Sequence, residues 1–241
     1  MKIIKYDARS PEENIALDEV MLAMAEEGRT GESLRFWESE EYFIVVGRSG
    51  RTQQECFLDR CAGEDVKIIR RISGGGTVLQ GPGCMNWSAV VSYEREEGLG
   101  DLRSSYSMIL GKLISTLKKK GIDASFFPVS DIAVEGRKVS GNAQARKRRY
   151  FLHHGTFLYG FDTEKVPLYL KHPSSEPEYR KGRVHCDFIA NISSGERCLK
   201  EAVTEVFMPS GTTWSPGKEE LESLNRLVVS KYSDTGWNHA F

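Results

Sequence analysis

The sequence predicts an α+β fold in one domain over residues 1–241, with a sheet through the first two thirds, helices packed on it and a helical tail. Three observations predict it. A capped, apolar helix opens the chain, short aromatic and β-branched runs separated by turns fill residues 33–161, and the pattern turns mainly helical after Thr163.

The first helix starts at Ser10-Pro11-Glu12-Glu13, which supplies an N-cap serine, proline at the first helical position and a glutamate placed for a capping box. Ile15, Val20, Met21 and Met24 follow at near-helical spacing until Gly28. Ser33 to Trp37 and Tyr42 to Gly47 read as a pair of strands joined by a polar turn. Lys67 to Arg71 and Met85 to Tyr93 are expected to continue that sheet on either side of a glycine-rich loop. A second helix runs from about Ser104 to Lys120, with Tyr106, Ile109, Leu110, Leu113 and Leu117 on one face and lysines at its C-terminal end, where they suit the helix dipole. Strands resume at Ala124 to Phe127, Asp131 to Val134, Lys138 to Gln144 and Tyr150 to Phe161. Gly195 to Phe207 and Ser215 to Lys231 are the clearest helices of the tail.

At 241 residues the chain is long enough to bury a substantial core, and 39% hydrophobic with 28% charged residues marks an ordinary globular protein. A net charge of -1 gives no electrostatic reason to expect nucleic acid or an anionic membrane as partner. No apolar run approaches a membrane span and no signal-peptide core follows Met1, so the cytoplasm is the expected location. Five cysteines without a CxxC pair signal neither a disulfide framework nor a zinc site.

Two stretches carry the chemistry. In Arg70 to Ser88, RRISGGGTVLQGPGCMNWS, three consecutive glycines leave peptide N–H groups open to an anion or a flat ligand, and Arg70 and Arg71 add the charge that a carboxylate or phosphate needs. A glycine-rich turn flanked by surface arginines is the plainer reading of that loop alone. In Gly136 to Leu158, Lys138 is combined with the small residues Ser140, Gly141 and Ala143, the amides Asn142 and Gln144, and the pair His153-His154. The two stretches can form two walls of one pocket.

These residues resemble the lipoate-protein ligases of the biotin/lipoate ligase and octanoyltransferase superfamily. The family's RRxSGGGxV loop is similar to Arg70 to Val78, its GxKxSGxA segment to Arg137 to Ala143, and its HHGTLL to His153 to Leu158. Asn14 to Glu19, Leu34 to Trp37, Val46-Gly47-Arg48 and the ending Lys231-Tyr232-Ser233 with Trp237-Asn238 extend the resemblance along nearly the whole chain. It implies a mixed, largely antiparallel sheet with packed helices, as in the class II aminoacyl-tRNA synthetase-like catalytic domain. It also implies that lipoate or octanoate is activated by ATP with Mg²⁺ to the acyl-AMP. The acyl group then passes to a specific lysine of a lipoyl-acceptor domain or a glycine-cleavage H-like protein.

By the same resemblance Lys138 is the catalytic ammonium. Arg71 helps hold the carboxylate or phosphate, and Ser73, Gly74, Gly75, Gly76 and Thr77 form the loop against the acyl-adenylate. Trp37 supplies apolar wall, Asn86 is the loop-following asparagine, and Ser140, Gly141, Asn142 and Ala143 line the lysine segment. His154 lines the adenylate site or is a satisfied core histidine, and Asp131 contacts Mg²⁺ or is a strand-start turn residue. The cluster Arg146 to Arg149 steers an acidic acceptor or is a solvated hairpin tip.

Two departures from the family pattern stand out. Gln80-Gly81-Pro82-Gly83-Cys84 replaces the ligases' His-Asp-x-Gly-Asn and is closer to the HGPGQ of octanoyltransferases. The best-known ligases also continue for an accessory domain of about 100 residues, which leaves room for a separate accessory polypeptide. The alternatives are therefore a transferase working from a preformed acyl donor, with Cys84 as the one thiol near the pocket, and a non-catalytic lipoate- or nucleotide-binding protein. No cysteine lies in Lys138 to Asp162, the region where the transferases keep theirs.

Overall fold

The computed structural model describes residues 1–240 and has the mixed, largely antiparallel α+β architecture expected. In chain order its elements are β1 (Lys2–Ile4), α1 (Pro11–Glu26), β2 (Ser33–Trp37), β3 (Phe43–Val46), α2 (Thr52–Glu55), α3 (Leu58–Gly63), β4 (Ile68–Arg70), β5 (Val78–Gln80) and β6 (Cys84–Ser92). There follow α4 (Leu102–Lys119), β7 (Ala124–Phe127), β8 (Asp131–Val134), β9 (Arg137–Arg146), β10 (Tyr150–Leu158), α5 (Val166–Tyr169), α6 (His185–Phe188), α7 (Glu196–Phe207), β11 (Thr213–Trp214), α8 (Lys218–Leu227) and α9 (Thr235–Asn238). No helix among the described residues is long and apolar enough to cross a membrane.

Eight strands form one sheet in the order β11-β1-β2-β6-β10-β9-β8-β7, and β4-β3-β5 form a second. This corrects the expected pairing of residues 33–37 with 42–47, because β2 lies between β1 and β6 whereas β3 is the centre of the small sheet. Glu38 explains why the intervening segment is not a hairpin. Its carboxylate accepts from the Gly83 N–H at 2.8 Å and the Tyr159 hydroxyl at 2.8 Å, which draws the chain away from β2 at the first residue after it. The glycine loop likewise does not join neighbours of one sheet. It leaves β4 in the small sheet, and the chain reaches the large sheet only at β6, after β5.

Helix α1 begins as expected, with the Ser10 hydroxyl accepting from the Glu13 N–H, a cap worth about 1 kcal/mol. It packs on β6 and β10 from one side of the large sheet, with α8 and the π-type turn Val228–Tyr232 against it. On the other side α4 and α7 cover Trp87, Val91, Phe151 and Phe157. The small sheet has its own core, in which Ile44, Val46 and Leu79 meet Cys56, Cys61 and Tyr169. Strands β1, β5 and β11, of two or three residues each, went unread in the sequence because so few residues show no period.

Candidate active site

Register along the middle of the large sheet gathers the first site residues. Arg35 lies opposite Ser88, Ser88 opposite His154, and His154 opposite Ala143. Two residues along, Trp37 lies opposite Asn86 and Asn86 opposite Thr156. Since strand side chains alternate between faces, both rows share the face that α1 covers in part.

A bulge brings Lys138 to the same face. Asp131 pairs with Gly141 and Ile132 with Ser140, but Ala133 pairs with Lys138, so Val139 is the extra residue. With Val139 paired regularly to Ala133, Lys138 would stand opposite Val134 and point to the other side, because a one-residue shift reverses every side chain. With it, the Lys138 ammonium reaches Asp131 Oδ1 at 2.8 Å, and Asp131 Oδ2 accepts from the Tyr179 hydroxyl at 2.8 Å. The lysine stem crosses Gly141. A β-carbon there would stand 3.0 Å from both Lys138 Cε and Nζ, which explains the glycine three positions after the lysine.

The glycine loop, residues 73–77, lies over this face beside His154 and Ala143. Ser73 Oγ is 2.6 Å from His154 Nε2, and a β-carbon on Gly75 would stand 4.0 Å from that of Ala143. Gly75 has φ +89°, and its carbonyl oxygen would be 2.0 Å from a β-carbon at Gly47, so the loop's closeness to the 47–50 turn requires glycine at both positions. The Lys138 ammonium over Gly141 and the loop's Gly75 beside Ala143 thus stand two residues apart on β9, about 7 Å along the strand.

The two arginines do something other than expected. Arg71 is buried and donates through Nε to Ser73 Oγ (2.9 Å), through Nη1 to the Val45 carbonyl (3.2 Å) and through Nη2 to the carbonyls of Gly74 (2.6 Å) and Gly76 (2.9 Å). It folds the loop from inside and does not stand open to a carboxylate. Burial lowers its pKa to about 10, which leaves it charged at neutral pH. Arg70 donates to the carbonyls of Gly47 (2.9 Å), Gly50 (2.8 Å) and Trp237 (2.9 Å), tying the loop's entrance to the 47–50 turn and to α9.

Ser140 and Asn142 also differ from the expectation. They project from the opposite face, toward the core under α4, where Asn142 Nδ2 donates to the Ser130 carbonyl at 2.9 Å and to Ser140 Oγ at 3.2 Å. Gly155 opposite is bare because a β-carbon there would stand 2.0 Å from Asn142 Oδ1. On the site face, Asn86 donates to the Cys84 carbonyl at 3.0 Å, and Trp37 rests on Phe43 with its buried Nε1 unpartnered in the protein. Thr77 donates to Glu55. Both oxygens of Asp131 are already engaged, by an ammonium and a phenol, and no group of three metal-ligating side chains occurs among the described residues.

At the basic cluster, Arg146 is structural, donating to Gln144 Oε1 (2.7 Å) and to the carbonyls of Leu99 (2.7 Å) and Gly100 (2.8 Å). Lys147, Arg148 and Arg149 are exposed, but nine residues separate Lys147 from Lys138, about 30 Å along the strand.

Cys84 is fully buried, its thiol 3.0 Å from Gln80 Oε1, and burial pushes its pKa far up, against the thiolate that a nucleophile needs. Cys84→Ser is therefore expected to leave acyl transfer within about twofold of wild type. A loss of more than a hundredfold, with an acyl group found on Cys84 by mass spectrometry, would restore it as the nucleophile.

Sequence reasoning missed Asp18, Glu55 and Tyr179. Asp18 accepts from His154 Nδ1 at 2.9 Å. Its signal was available: Asn14 and Asp18 are polar residues one turn apart among the apolar residues of the helix, and both are buried.

Fold and face together define a domain of the biotin/lipoate ligase and octanoyltransferase superfamily. Within it the chain belongs to the lipoyl protein ligase A/B catalytic domain family, whose model matches residues 10–207. The chain is 28% identical over 259 residues to an octanoyltransferase LipM of Kyrpidia tusciae, covering 94% of this chain and 93% of that protein. It is 31% identical over 157 residues to a protein of Mycoplasma pneumoniae named "Probable lipoate-protein ligase A", covering 65% of this chain and 45% of the relative. In fold it is similar to a bi-partite lipoate protein ligase of Thermoplasma acidophilum, with a TM-score of 0.82 at 20% identity over 99% of this chain and 95% of the other.

Proposed function

We propose that the chain is a lipoate-protein ligase acting as a single catalytic domain: it joins lipoate or octanoate to AMP at the expense of ATP and passes the acyl group to a lysine of a lipoyl-acceptor domain or H-like protein. The observation that carries this reading is the Lys138 ammonium on the same sheet face as the glycine loop, with no thiol in residues 138–162 and Cys84 sealed in the core.

The open backbone of Gly74 to Gly76 would receive the adenylate. Trp37, on the same face, would lie against the acyl chain. When the acceptor amine attacks the acyl carbonyl, negative charge grows on the carbonyl oxygen and then on the departing phosphate. A preorganised ammonium lowers the energy of both. Mg²⁺ would enter with the nucleotide, and a contact with Asp131 would require that carboxylate to release Lys138.

A second reading, an octanoyltransferase working without ATP, is supported by the near full-length similarity to LipM and by the Gly-Pro-Gly after the loop. Acceptor mass separates the two. The protein is incubated with an acceptor domain and lipoate plus Mg-ATP, synthetic lipoyl-AMP, or octanoyl-acyl carrier protein without ATP. The first two donors are expected to modify the acceptor and the third is not. Transfer from lipoyl-AMP alone would place activation on a separate accessory polypeptide. Transfer from the thioester alone would replace the ligase reading with the transferase.

A further inference from the structure

We propose that Asp18 and His154 are positioning residues for the glycine loop, acting on it through the Ser73 hydroxyl. The bonds have a fixed direction. An ionised carboxylate only accepts, so the 2.9 Å contact between Asp18 Oδ2 and His154 Nδ1 places the hydrogen on Nδ1. In the tautomer with its one hydrogen on Nδ1, the ring offers the Nε2 lone pair to Ser73, whose hydroxyl donates across 2.6 Å. The Ser73 oxygen accepts in turn from Arg71 Nε at 2.9 Å, and the rest of that guanidinium holds the Gly74 and Gly76 carbonyls. A chain of four side chains therefore runs from the carboxylate on α1, across β10, to the carbonyls of the loop.

The far end is buried beside a cation, although Asp18 Oδ1 and Arg35 Nε make no hydrogen bond. Asp18 is 2% exposed, with Oδ1 3.9 Å from the fully buried Arg35 guanidinium, which itself donates to the carbonyl and side-chain oxygen of Asn14. In such a dry chain from Asp18 to Arg71 each bond helps fix the next, and loss of one member is felt at the end of the chain. The spacing is that of a Ser-His-Asp triad, but Ser73 is 1% exposed and its hydroxyl is engaged on both sides. It is built to be held and not to attack.

The effect on acyl transfer rests on the ligase reading above; the effect on the loop does not. The test uses ¹⁵N-labelled full-length protein, wild type and with Asp18→Asn, His154→Gln, Ser73→Ala and Ser73→Thr. The amide order parameters of Gly74 to Gly76 are expected to fall from about 0.85 to below about 0.6 in the first three variants and to recover in Ser73→Thr. Those of β6 are expected to stay unchanged in all four. A low-field Nδ1–H proton resonance of His154 is expected in the wild type and lost in Asp18→Asn. With lipoyl-AMP as donor, KM should rise about tenfold and kcat change less than threefold, and His154→Gln should add nothing in a Ser73→Ala background.

Loop order unchanged in all variants would overturn the proposal. So would additive effects of the His154 and Ser73 changes, which would mean that His154 touches the ligand itself, or an acyl group trapped on Ser73. If wild type neither binds lipoate nor uses lipoyl-AMP, the ligase reading fails, while the order parameters still decide the role of Asp18 and His154.

Discussion

Lys138→Ala is expected to slow acyl transfer from lipoyl-AMP about a hundredfold, the effect of removing roughly 3 kcal/mol of preorganised charge at a developing oxyanion. The ammonium sits on the site face only because of the bulge opposite Ala133, and Gly141 leaves room for its stem. Neither feature is needed to fold β9, whose register is held by β8 and β10. The variant should keep the fold but lose about 2 kcal/mol of stability, since the buried Asp131 carboxylate is left with only the Tyr179 hydroxyl as partner. Lys138→Met keeps the stem over Gly141 and removes only the charge, so it should be as slow as the alanine variant. Single-turnover transfer to an acceptor domain, followed by mass, measures both. Near-normal turnover in the methionine variant would remove the ammonium from the mechanism.

The long helices were legible because their signals are local. Ser10 and Pro11 start α1 within one turn, and the apolar stripe of α4 repeats through Leu117. Strand partners were not, because pairing is decided by distant residues such as Glu38, which reaches Gly83 and Tyr159. The same holds at the site. The two chemistry-bearing stretches could be read as walls of one pocket, yet which residues face the ligand depends on one bulge. That bulge turns Lys138 inward, while Ser140 and Asn142 face the core. Arg71 looked like an anion ligand because nothing in the sequence shows that its donors are spent on the loop's own carbonyls. Asp18 lies 136 residues from the histidine it binds, a separation that no local pattern bridges.

Acid should destabilise the protein through His153, and this is the largest stability effect expected of any one group. The ring is buried, stacked on Trp87 with centroids 5.1 Å apart and edge-on to Tyr106, and its Nδ1 takes a hydrogen bond from Gln144 Nε2 at 3.1 Å. Burial, with a smaller contribution from the neighbouring His154, lowers its pKa from 6.5 to about 3. The sign follows from proton counts. Below pH 6.5 the unfolded chain binds a proton that the folded ring refuses until about pH 3, so stability is full above 6.5 and is lost as pH falls through that window. At about 1.4 kcal/mol per pH unit the loss approaches roughly 5 kcal/mol at the bottom of the window, a large part of a typical folding free energy. His153→Phe keeps an aromatic ring beside Trp87 and removes the titration. It leaves Gln144 without its acceptor, at a cost of about 1 kcal/mol at neutral pH. The two stability curves should therefore cross, with wild type ahead at pH 7.5 and the variant ahead by roughly 2 kcal/mol at pH 4.5. Urea unfolding followed by circular dichroism at pH 7.5, 6.0, 5.0 and 4.5 gives both curves. Parallel curves, with no difference in slope below pH 6.5, would mean that the ring takes up a proton in the folded state and that its core has room for the charge.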